Sequence, residues 1–279
     1  MSRPLVAILL LIPLWLSGCA INRLPESLGE GILNNNDLDT VKEGLPTYLL
    51  ILDGAVINYP KNGALLRAAS DLNGAYASVF VQDSQRKARL IDKSLEYAQR
   101  QMCLHSKKAC DLEHQEFADF EKVIVGMKRK KDVESLYTLG SAWAGYIQEH
   151  SDDWNAIADL AKVELMMKQV VAIDESYSHG QAFLYLGIIN SLIPPGLGGK
   201  PDVAKAYFER GIALSHGRNL IIQVKYAEKY ARLVFDQELH DRLLKEVIAS
   251  DPVEDGLTLQ NHYAQQLAAE LMAESNDYF

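Results

Sequence analysis

Leu16-Ser17-Gly18-Cys19 is the stretch whose residue types and order most directly specify chemistry. A signal peptidase needs small residues at its cut, and a lipidating enzyme needs a thiol to form a thioether. Met1-Ser2-Arg3 supplies a short positive lead, and Val6 to Leu16 is almost wholly apolar, interrupted by Pro13. An apolar run this short is a signal-peptide core, not a spanning helix, which needs about 20 residues. The pattern resembles a lipobox. Residues 1–18 are therefore expected to be a lipoprotein signal peptide, and Cys19 the lipidation site, carrying diacylglycerol and an N-acyl chain. Two or more chains give stable anchoring where one does not. Ala20, not Asp, follows the thiol; by resemblance to Gram-negative sorting rules this favours the outer membrane, facing the periplasm. With Asn34-Asn35-Asn36, two glycines and few aromatics, the stretch to Glu43 reads as a lipidated tether over 19–43, ahead of a domain over 44–279.

Two further thiols remain, Cys103 and Cys110, with Leu-His-Ser-Lys-Lys-Ala between them. In an oxidising compartment a nearby pair is expected to be bridged. The spacing fits a loop joining two antiparallel helices. Free thiols are one alternative, and a metal site with His105 and His114 is the other. The spacings match no standard zinc ribbon or finger.

Other constellations yield no catalytic group. Gly196-x-Gly198-Gly199-Lys200 lacks the Ser or Thr of a phosphate loop and follows no strand. It reads as a loop between paired helices. No Gly-x-Ser-x-Gly survives inspection, and there is no His-Glu-x2-His. Glu113-His114-Gln115-Glu116 reads as a solvated helix face. Lys128-Arg129-Lys130-Lys131 is expected at a helix C-terminus, where it offsets the dipole. No cofactor and no metal are implied. A net charge of −9, becoming −10 once Arg3 is cleaved away (27 positive against 37 negative), argues against nucleic acid. With 48% apolar residues, the 279-residue chain has enough material for a folded core.

The elements that must carry these residues read as helix after helix. Candidate helices run near 45–58, 62–82, 86–103, 114–128, 132–149, 154–173, 179–192, 201–215, 219–235, 236–250 and 256–275. Tyr59-Pro60-Lys61-Asn62-Gly63 is a turn, Ser151-Asp152-Asp153 offers capping oxygens, and Pro201 suits a first helical turn. No segment alternates as a strand does. The fold class is all-α, a degenerate tetratricopeptide-like solenoid of stacked antiparallel helix pairs. Phe183, Leu186 and Gly187 fit repeat positions 4, 7 and 8. Ala204, Phe208 and Gly211 fit positions 20, 24 and 27 if the loop from Ile193 to Pro201 is five residues longer than the repeat requires. The next unit places Val224, Ala227, Ala231, Leu244, Val247 and Pro252 in frame, with His240 departing from the small residue expected. Stripes on both sides of helix 219–235, Val224/Ala227/Ala231 and Tyr226/Tyr230/Leu233, predict a helix sandwiched between neighbours.

These residues carry a likeness. Gly198-Gly199-Lys200-Pro201 with Ala204-x3-Phe208-Glu209-Arg210 resembles the TatT family, lipoproteins associated with TRAP (tripartite ATP-independent periplasmic) transporters. So do Val224-x-Tyr226-Ala227-x2-Tyr230-Ala231, the segment from Leu243-Leu244 to Asp251-Pro252, and Leu259-x-Asn261-x2-Ala264. The likeness covers about Leu45 to Phe279 and is strongest after Ala182. It implies a lipid anchor, no enzymatic activity, a homotrimer with a ligand-accessible pore, and a periplasmic substrate-binding protein as partner. On that basis Tyr185, Asn190, Lys200, Tyr226, Tyr230 and Asn261 are the candidate ligand or pore residues; Tyr185, Tyr226 and Tyr230 read first as core, and otherwise as phenols lining a groove for an organic acid. The alternative is a general scaffold lipoprotein of envelope assembly that binds peptides or proteins. A hydrolase would need a convergent nucleophile and base, and none stands out.

Overall fold

Helices in this chain begin on short acceptor side chains. Asp37 Oδ1 accepts from the backbone N–H of Asp39 and Thr40, each at 3.0 Å. Asn62, Asp83, Asp153 and Asp236 cap later helices in the same way. Such caps satisfy amides that have no partner inside the helix. The structure is a computed structural model that describes residue 27 and residues 29–279. Cys19 and residues 1–18 lie outside the described residues.

The helices are α1 (Leu38–Asn58), α2 (Gly63–Phe80), α3 (Ser84–His105), α4 (Phe117–Val125), α5 (Lys130–Glu149), α6 (Trp154–Ala158) and α7 (Leu160–Ile173). They continue as α8 (Tyr177–Asn190), α9 (Pro201–Leu214), α10 (Leu220–Lys225), α11 (Gln237–Ala249), α12 (Thr258–Ala273) and α13 (Ser275–Tyr278). A π-helical turn, Tyr226–Ala231, prolongs α10. Among the described residues there is no strand. The chain is an all-α solenoid of stacked antiparallel pairs.

Contacts between helices sort them into two rows. The outer helices α3, α7, α9 and α11 each pack against flanking inner ones. The inner helices also touch the next member of their own row: α2 with α5, α5 with α8, α8 with α10, and α10 with α12. A row that touches itself runs along the shorter, concave side. The row then closes, because α12 packs on α1. Leu259 joins the cluster of Val41, Leu45 and Leu49. Asn34 Nδ2 donates to Asp255 Oδ1 at 2.9 Å, and the Gly256 N–H donates to Asn34 Oδ1 at 2.6 Å. The superhelix is therefore a ring.

Several local expectations are corrected. Helix α1 starts at Leu38 and not near 45, because Asp37 caps it and Val41 and Leu45 bury an apolar face. Part of the expected tether thus belongs to the helical body. Segment 154–173 breaks at Asp159. Glu113–Glu116 precedes α4 and does not form a helix face; His114 Nδ1 pairs with Asp111 Oδ1 at 2.6 Å in the turn before it. The basic run is not a helix C-terminus. Helix α4 ends at Val125, and Lys130 and Lys131 open α5, a position the dipole disfavours. Buried Asp132, in the same first turn, has the sign the dipole favours. Its carboxylate accepts from the Arg129 backbone N–H and guanidinium, both at 2.9 Å, and lies 2.9 Å from His105 Nε2. Burial pushes that carboxyl up, but the bonds from Arg129 and His105 outweigh it and hold it well below the usual carboxylate range. Cys103 and Cys110 are disulfide-bonded with Cα atoms 4.2 Å apart. The bridge ties the last turn of α3 to the 3-10 turn Lys107–Ala109 and does not join two antiparallel helices.

Candidate functional site

Helical spacing sets polar residues on the inner row. Arg67 and Asp71 stand one turn apart on α2, Glu134 and Tyr137 one turn apart on α5, and Gln181 and Tyr185 one turn apart on α8, while Tyr177 lies before a left-handed break in that helix. Contact between α2, α5 and α8 gathers them. Arg67 Nε lies 3.2 Å from Glu134 Oε1. The Tyr137 ring meets Tyr177 and Tyr185 edge-on, at centroid distances of 5.4 and 6.0 Å.

A chain of amides continues along the wall. Tyr137 OH donates to Gln181 Oε1 at 3.1 Å, and Gln181 Nε2 to Gln260 Oε1 at 2.5 Å. Gln260 Nε2 donates to Asn219 Oδ1 at 2.7 Å, and Asn219 Nδ2 to the His179 carbonyl at 3.3 Å. Four inner elements, α5, α8, α12 and the start of α10, are thus linked by side chains.

Asp71 is exposed, and its carboxyl, crowded by the surrounding protein, is pushed up to about 7, with Arg67 opposing the rise and Glu134 adding to it. Burial likewise raises the phenols, Tyr177 and Tyr185 to about 12 and Tyr137 well above its ordinary value. All three remain hydroxyl donors at neutral pH.

The backbone is strained at the same place. Ser178, His179 and Gly180 take φ values of 50°, 55° and 75° in succession, inside the α8 span. Left-handed non-glycine residues cost roughly 1–3 kcal/mol each and collect at ligand clamps and switches. Here they lie between Tyr177 and Gln181.

The sequence candidates do not gather in one place. Tyr185 is on this wall. Asn190 donates to Glu164 Oε1 at 3.2 Å and to the Leu186 carbonyl at 2.9 Å, turned toward outer helix α7. Lys200 is exposed in the glycine-rich loop. Tyr226 and Tyr230 are buried in the second core, where Tyr226 stacks on Phe208 at 5.1 Å. Asn261 is fully buried and holds backbone together. Its Oδ1 accepts from the Leu220 N–H at 3.1 Å, and its Nδ2 donates to the carbonyls of Arg218 and Pro252 at 2.9 and 3.1 Å. Sequence reasoning missed Arg67, Asp71, Glu134, Tyr137, Tyr177 and Gln181. Among the described residues, no group of three or more His, Cys, Asp or Glu is placed to hold a metal ion. No described helix is long and apolar enough to cross a membrane.

Fold and wall together define a closed helical-repeat ring with a polar and aromatic interior. The family model described as TRAP transporter T-component matches residues 34–279, starting at the residue that clasps the ring. The chain belongs to that family, a transporter component and not an enzyme family, and is associated with the TRAP system. No curated protein matches the chain.

Proposed function

We propose that the chain is a non-catalytic accessory subunit of a TRAP transporter. Cys19 anchors it by lipid at the periplasmic face of the outer membrane, it docks a periplasmic substrate-binding protein, and its ring takes a small organic ligand. In this reading residues 1–18 are the signal peptide and the lipidated tether leads into α1. Copies assemble as a homotrimer, as the family resemblance implies. The observation that carries the reading is the ring itself. In a family tied to transport, an inner row carrying half-buried phenols and a chain of amides has the makings of a ligand site, with few convergent polar groups. The order Leu-Ser-Gly-Cys supports the anchor.

The test is co-purification of the full chain from detergent-solubilised membranes. It should retrieve a solute-binding protein. Repeated retrieval of outer-membrane assembly factors alone would sink the transport reading. Cells fed labelled palmitate should label the chain, and Cys19→Ala should abolish the label.

A further inference from the structure

We propose that one end of the ring, formed by the 150–159 and 191–199 turns, rests on the lipid surface, with Trp154, Leu192, Ile193 and Leu197 entering the headgroup and upper acyl layers. The proposal rests on the lipid-anchor reading and adds which end of the molecule faces the membrane.

Helix direction is the first argument. Lys87 Nζ, in the first turn of α3, lies 3.3 Å from Glu149 Oε2 at the last residue of α5. Asn190, the last residue of α8, bonds to Glu164 early in α7. The α2–α3 turn, the α5–α7 segment and the α8–α9 loop therefore share one end of the ring. The chain enters at that end too. Ile32 packs on the cluster of Val41, Leu45, Tyr76 and Val81, which Phe80 and Leu90 also join. The clasp at Asn34 fixes this entry. From Cys19 to residue 27 is eight steps along the chain, a reach of at most about 29 Å. Acyl chains on Cys19 thus hold this end toward the bilayer.

The second argument is the surface. Trp154 is 82% exposed and Leu197 79%, with Leu192 and Ile193 at 50% and 53%. From Ser191 to Gly199 there is no charged residue; two prolines and three glycines complete the loop. Burying these side chains in an acyl layer removes apolar area from water. Indole suits the headgroup level, where its body is in lipid and its N–H is wet. The neighbouring charges fit the same placement. Asp153 Oδ1 accepts the Asn155 N–H at 2.8 Å as the cap of α6. Lys200, exposed after the loop, can pair with a lipid phosphate. The opposite end exposes Lys107, Lys108, Glu113, Lys130 and Lys131, charges that an acyl layer would strip of water.

Trp154 is its own reporter. Of the three tryptophans, Trp15 leaves with the signal peptide and Trp143 is buried in the core. A Trp154→Phe variant subtracts emission from any other source. The full acylated chain is reconstituted in phosphatidylethanolamine–phosphatidylglycerol vesicles, plain or brominated on the acyl chains. Bromine should quench Trp154 at least about twofold, and molar salt should not relieve it, because apolar insertion is not screened. Leu192→Ser combined with Leu197→Ser should remove most of the quenching; circular dichroism confirms that the variant folds. Tyr59→Trp, at the opposite end and in the Trp154→Phe background, should stay unquenched. The proposal is overturned if Trp154 is not quenched, or if Tyr59→Trp is quenched as strongly. It is also overturned if Trp154 is shielded from aqueous iodide by a second copy or a solute-binding protein and not by lipid. Palmitate labelling of the same cells separates the two readings. A labelled chain with unquenched Trp154 removes the orientation alone, and an unlabelled chain with quenched Trp154 removes the anchor alone.

Discussion

The first half of the ring and the second build the same helix junction from different residues. In each, an inner helix carries a glycine where its outer partner presses in. On α8, Gly187 faces the Phe208 ring, which would lie 2.8 Å from an added methyl group. On α5, Gly140 faces the flexible end of Met167, also at 2.8 Å. On α2, Gly74 meets Ser94 Oγ at 3.0 Å. The distances nearly agree, but the freedom of the neighbour does not. Phe208 is fully buried and stacked on Tyr226, so it has nowhere to go. Met167 is buried too, but its thioether chain can swing. Glycine alone does not mark a tight junction; a glycine against a rigid partner does.

The contrast can be broken by adding the methyl groups one at a time. Gly187→Ala should cost the most, about 2–3 kcal/mol, because overpacking a rigid site forces backbone movement. Thermal unfolding should drop by about 5 °C or more. Phe208→Leu in the same chain should return roughly 1 kcal/mol of coupling, measurable in a double-mutant cycle. Gly140→Ala should cost less than about 1 kcal/mol, since the gain in helix propensity offsets the displaced methyl of Met167. Equal losses at Gly187 and Gly140 would refute the distinction. Gly74→Ala should fall within about 0.5 kcal/mol of neutral, because Ser94 Oγ must adjust its 2.8 Å bond to the Ser70 carbonyl while the helix gains propensity.

The smallest effect is a slope. Asp71 holds its proton up to about pH 7 in the ring but only to about 4 in the unfolded chain. Its contribution to stability is complete below pH 4 and lost as pH rises through 7. The melting temperature of Asp71→Asn relative to the parent should therefore climb between pH 5 and pH 8 and level off above that. A flat difference across that range would mean the carboxyl is not confined.

The same contrast explains what could be read in advance. Phe183, Gly187, Ala204 and Phe208 sit at repeat spacing with bulky and small residues in their expected roles, so the second half announced its architecture. Gly140 and Met167 do the same work with a side chain no repeat pattern requests. The interior wall was harder still. Arg67 and Asp71, Glu134 and Tyr137, and Tyr177 and Tyr185 are three pairs on three separate helices, each unremarkable in its own window. Only the packing of α2 on α5 and of α5 on α8 brings them together. Tyr226 and Tyr230 are aromatic neighbours in sequence, but their helix is sandwiched, so both go to the core. The basic run was misplaced because the preceding helix was read two or three residues too long; Gly126 ends it.

A spring can loosen coil by coil from either tip. A hoop has no tip, and the clasp between Asn34 and the Asp255–Gly256 corner makes this molecule a hoop. Residues more than two hundred positions apart must meet before the last inner helix gains its neighbour, so the final act of folding is a long-range one and correspondingly slow. Once it is made, no single pair can peel away while the others stay.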